Sequence, residues 1–144
     1  MKNKRAIIIL LVIFLFLMIN GCTSPELQKN SQNAIENKKL NTVATGSTQM
    51  NDVLIELTPA GMKDGKFVVN LVANTHSVDL GRFDLMQLTT LEYNENQIKP
   101  SSAPALSGHH TSGELIFNIG KLPENFKIII NGIPNIEERV FEWA

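Results

Sequence analysis

All three histidines of this 144-residue chain fall in two short polar segments. His76 lies in Asn74-Thr75-His76-Ser77-Val78-Asp79-Leu80. His109 and His110 lie in Ser107-Gly108-His109-His110-Thr111-Ser112-Gly113-Glu114-Leu115. Neutral imidazole is the commonest protein metal ligand at physiological pH. Completed by an oxygen of Asp79 or Glu114, such a set would suit Zn(II) or Cu(II), with Ni(II) as a further fit. Cys22 is the sole cysteine and lies far upstream, so a thiolate site of the zinc-finger kind is excluded. Adjacent side chains of an extended segment point to opposite faces. Only one of His109 and His110 can therefore join His76 at one ion, unless the chain turns at Gly108 or between the two.

The same residue types admit two other readings. In the first they are structural: Thr75, Ser77 and Asp79 cap exposed loop amides, and the histidines brace neighbouring backbone. In the second they are catalytic, since His76, Asp79 and Ser107 or Ser112 are the types of a hydrolytic triad. That reading lacks support. No Gly-x-Ser-x-Gly elbow is present, and the Gly108/Gly113 spacing lacks the Lys-Ser/Thr of a phosphate-binding loop. Carbohydrate binding would need exposed rings, and of the aromatic residues only Tyr93 is left free by the expected core.

The elements that must position these segments are short strands. Val53–Leu57 reads as a strand ending at Thr58-Pro59, and Asp64-Gly65 is a hairpin turn. Lys66–Asn74 alternates, with Phe67, Val69, Leu71 and Ala73 on one face. Leu85–Tyr93, Gln97–Lys99, Glu114–Ile119, Phe126–Asn131 and Glu138–Trp143 complete the set, with turn residues between them. About seven strands at this spacing, with no helical period, predict an all-β fold: one immunoglobulin-like antiparallel β-sandwich over residues 51–144. Phe67, Leu71, Phe117, Phe126, Ile128, Ile130, Phe141 and Trp143 are the expected core. The His-bearing segments then fall at strand ends, where polar loop residues are better functional candidates than polar strand residues.

The motifs THSVDL and GHHTSGEL, with the closing ERVFEW, carry a resemblance. They are similar to a group of small secreted or lipid-anchored prokaryotic domains. The resemblance covers about residues 53–144. It implies a β-sandwich and attaches no activity to it.

The N-terminus sets the address. Lys2, Lys4 and Arg5 precede an unbroken apolar run of 14 residues, Ala6–Ile19. That is the layout of a secretory signal peptide, and it is short for a membrane span. Ile19-Asn20-Gly21-Cys22 resembles the lipobox of prokaryotic lipoproteins, although Asn20 departs from the small or aliphatic residue usual before the glycine. The resemblance implies a signal peptide over 1–21 and lipidation of Cys22. It also implies an extracytoplasmic protein anchored to the cell membrane or the outer membrane. Residues 22–50 are dominated by Asn, Lys, Gln, Ser and Thr and read as a flexible tether reaching about 30 Å.

Charge excludes one class of partner. Three of the 13 basic residues lie in 1–21, leaving ten against 14 acidic ones, a net charge of −4. Such a chain offers no basic stripe for nucleic acid. Attachment to membrane then comes from the acyl chains at about 0.8 kcal/mol per buried methylene. The sequence thus leads to the expectation of a non-enzymatic binding or accessory module that engages an envelope protein partner. The alternative is a Cu- or Zn-binding protein using His76, His109, His110, Asp79 and Glu114. A hydrolase is the remote third.

Overall fold

The computed structural model describes residues 40–144. The expected signal peptide, Cys22 and most of the expected tether lie outside the described residues. The described residues belong to one compact unit, Asn37–Ala144, and among them no helix is long and apolar enough to cross a membrane.

The fold is an all-β sandwich of two four-stranded antiparallel sheets. The strands are β1 (Val43–Thr45), β2 (Leu54–Lys63), β3 (Lys66–Asn74), β4 (Thr89–Tyr93), β5 (Asn96–Ile98), β6 (His110–Phe117), β7 (Phe126–Asn131) and β8 (Glu138–Trp143). One sheet runs β1-β2-β3-β6 and the other β5-β4-β7-β8. The chain crosses between sheets after β3, β5 and β6. It thereby pairs β3 with β6 and β4 with β7.

Alternation explains the layers. In β8 every second residue, Arg139, Phe141 and Trp143, is buried. In β3, Phe67, Val69, Leu71 and Ala73 face inward. Phe67 meets Phe117 of the same sheet at 6.2 Å between ring centres and Phe126 of the opposite sheet edge-on at 5.0 Å. Phe126 stacks on Trp143 at 5.0 Å. All eight expected core residues are buried.

Four boundaries differ from the sequence reading. One is β6, which opens at His110 and not at Glu114 and ends at Phe117, so that much of the second His-bearing segment is strand paired with β3. The other three each have a local reason. First, the fold begins before residue 51. Leu40 is buried, β1 pairs with Ile55–Leu57, and the Trp143 indole N–H donates to the Asn41 carbonyl at 2.8 Å. A three-residue strand in polar surroundings shows too little alternation to be read. Second, β2 runs past Pro59 to Lys63 through a bulge, where the register with β3 jumps from Pro59↔Val69 to Gly61↔Val68. The proline lies beyond the last β1 pair, Val43↔Leu57, where a strand has an open edge and tolerates a missing amide. Third, Leu85–Leu88 is one helical turn and only Thr89 begins the strand. The Asp84 carboxylate caps it by accepting from the Met86 amide at 2.9 Å. Leu-Met-Gln-Leu lacks the β-branching that Thr89-Thr90 supplies.

The edge of β6 is covered. The Ser101 amide donates to the Ile116 carbonyl at 2.7 Å, and the Ile116 amide to Ser102 at 2.9 Å. Thr111 and Ser107 exchange side-chain and backbone bonds. This segment lies so close to Gly113 that an added Cβ would sit 2.5 Å from the Pro104 Cβ. Gly113→Ala is therefore expected to lower stability by about 1–2 kcal/mol through overpacking, read as a lower denaturation midpoint with an unchanged slope.

Candidate functional site

The start of β2, the end of β3, the start of β6 and the β7–β8 connection meet at one end of the sandwich. A buried ion pair organises this end. The alternation of β8 turns Arg139 inward, and its guanidinium is wholly buried. Its Nη2 donates to Asp52 Oδ1 at 3.1 Å and to the Pro134 carbonyl at 2.9 Å. Its Nη1 donates to Thr45 Oγ1 at 3.3 Å, while Nε has no acceptor. Asp52, also buried, accepts from Ser47 Oγ at 2.8 Å and from the Val53 amide at 2.7 Å.

Burial alone would push the Asp52 carboxyl up. The hydrogen bonds from Ser47, the Val53 amide, Arg139 and Asn135 overcome it and hold the pKa at about 2. Gly46 makes room for the pair: its φ is +79°, and an added Cβ would overlap the Val53 carbonyl oxygen and the guanidinium.

Thr75 fastens the His-bearing loops to this pair. Fully buried, it donates its hydroxyl to the Asp52 carbonyl at 2.7 Å and accepts from the Ser77 and Val78 amides at 3.3 and 3.2 Å. Its own amide donates to the His109 carbonyl at 2.9 Å. The Ser77 hydroxyl accepts from the Asn51 amide at 2.7 Å. One hydroxyl and one amide thus tie three chain segments together.

The five candidate ligands fare unequally. His76 and His110 come together, their rings edge to face with centres 6.4 Å apart. His110 opens β6 and pairs with Asn74, and its Nδ1 lies 2.8 Å from Asn74 Oδ1. His109, the preceding residue, is exposed and does not complete the group. Asp79 is spent on capping, its Oδ1 accepting from the Gly81 amide at 3.1 Å. Glu114 lies four residues along β6 from His110, about 13 Å away at strand rise. Among the described residues no three His, Cys, Asp or Glu side chains gather as a metal group, so the five-ligand constellation does not form. Ser107 and Ser112 do not gather as a triad either: Ser107 bonds Thr111 through backbone.

Much of each His-bearing motif has a folding task. Thr75 fastens loops, Asp79 caps, Val78, Leu80 and Leu115 are core, and Gly113 admits Pro104. His76, Ser77, His109 and His110 are exposed at the surface of this braced end. Sequence reasoning missed Asp52 and Arg139. The one available signal was Arg139 sharing parity with Phe141 and Trp143.

Comparison with known proteins finds no matching family, no matching curated protein and no matching solved structure.

Proposed function

We propose that this protein is a lipid-anchored extracytoplasmic binding module, without enzymatic activity, that engages an envelope protein through its His-bearing loop end. The observation that carries the reading is the bracing of that end. A buried ion pair and a buried threonine hold three segments in one shape, while imidazoles and hydroxyls remain at the surface. Prior ordering of loops reduces the entropy lost on association. A rigid sandwich presenting polar loops is a common recognition architecture.

Two experiments test it. Metabolic labelling with a radiolabelled fatty acid is expected to mark the full chain and to leave Cys22→Ser unmarked, because the serine offers no thiol to acylate. Absence of label on the parent chain would remove the lipid anchor from the account. A photo-crosslinking residue at Ser77 in cells is expected to trap one defined protein, while one at Glu124, which lies in the β6–β7 connection, traps none. Equal trapping from both positions would overturn the assignment of the loop end.

A further inference from the structure

We infer that His76 and His110 form a two-imidazole site for a divalent first-row cation, Zn(II) or Cu(II), at the exposed end of β6. Two features of the structure meet there. The first is ring placement. Two imidazoles on one ion, each with a metal–nitrogen bond of about 2.0–2.1 Å, hold their ring centres about 5 Å apart at a tetrahedral angle and about 6.5 Å apart when they lie opposite each other across the ion. The observed 6.4 Å lies at the open end of that span. His76 is exposed, so rotation of its side chain can close the angle.

The second feature is the Asn74 carboxamide. Its Oδ1 is 2.8 Å from His110 Nδ1, and a carbonyl oxygen only accepts, so Nδ1 carries the proton. The Nε2 lone pair is then left for a metal. Ligating histidines regularly donate their other ring N–H to a carboxylate, carbonyl or water, which fixes the tautomer and the ring. Here the register Asn74↔His110 builds that partner into the sheet. Neither side chain is consumed by the fold: His76 and His110 are both exposed, and Asn74 faces outward beside them. Solvent or a partner's oxygen would complete the coordination sphere. The inference goes beyond the binding reading above and does not rest on it.

The test is a Zn(II) titration of the detergent-solubilised full chain by calorimetry. Every protein carries Cys22→Ser, so that no thiol competes. One saturable ion per chain is expected. His76→Ala and His110→Ala should each weaken binding by about tenfold or more, and Asn74→Ala by about tenfold, the scale of a lost orienting partner. His109→Ala should bind as the parent does. In nitrogen-15 spectra the ring nitrogens of His76 and His110 should shift on Zn(II) addition and those of His109 should not. Cu(II) should bind more tightly than Zn(II). Absence of saturable binding, indifference to His76→Ala, or an equal loss in His109→Ala would overturn the inference.

Discussion

Arg139→Ala is expected to lower the unfolding free energy by about 3–5 kcal/mol, enough to remove much of the stability of a domain this size. The size follows from what remains. Asp52 stays buried and ionised with its cationic partner gone. The Pro134 carbonyl loses its donor, and a cavity opens beneath β8 where the guanidinium lay. Trp143, the sole tryptophan and a buried neighbour on the same strand, reports the transition by fluorescence in a urea titration. Replacing both partners by apolar residues, Asp52→Leu with Arg139→Met, should recover a large part of the loss, since no charge is then left unpaired. A loss below about 1 kcal/mol for Arg139→Ala would mean that the guanidinium reaches water, as exposed pairs do. Lys127–Glu92 at 2.8 Å is a half-buried pair that water still reaches, on the outer face of the second sheet. Its removal should leave the midpoint essentially where it was.

Acid should weaken the protein through Asp52. Its carboxyl titrates at about 2 in the fold against 3.8 ordinarily. A group with a depressed folded pKa contributes stability above its unfolded pKa and loses it as pH falls through the folded one. The Asp52 contribution, about 2 kcal/mol at 1.36 kcal/mol per pKa unit, is thus complete above about pH 5 and disappears between about pH 4 and pH 2. Asp52→Asn preserves the shape and removes the titration. The stability difference between parent and Asp52→Asn should be largest near neutrality and narrow as pH approaches 2. A difference independent of pH over that range would show that the hydrogen bonds, and not the charge, carry the effect.

The strand pattern made the sandwich legible. Alternation in Lys66–Asn74 and Glu138–Trp143, and the Asp64-Gly65 turn, correspond directly to β3, β8 and the β2–β3 hairpin. What escaped was set by contacts distant in sequence. β1 is a strand only because Ile55–Leu57 lies beside it and Asn41 accepts from Trp143. β2 passes a proline because the register can jump there. The turn at Asn94-Glu95, by contrast, was legible from its polar residues, although it adopts the left-handed conformation at both (φ 44° and 64°) without a glycine. At the loop end, alternation correctly separated His109 from His110. Thr75 caps loop amides, as its residue type suggested. Asp52 and Ser47 look like ordinary loop polar residues in sequence, and their role appears only when β8 brings Arg139 to Asp52, 87 residues on. Asp79 and Glu114 were attractive as ligands by type alone. A backbone amide holds the first, and strand rise carries the second away.

The central claim is that the His-bearing end is held in shape before anything binds. Native-state amide hydrogen exchange on the full chain tests it most directly, at Val53, Thr75 and Val78, whose N–H groups donate to Asp52 Oδ1, the His109 carbonyl and Thr75 Oγ1. The account predicts that these amides open with a free energy close to that of Leu71 in the centre of β3, so that they exchange only when the whole sandwich unfolds. Exchange through low-energy local openings, with Leu71 still protected, would contradict it.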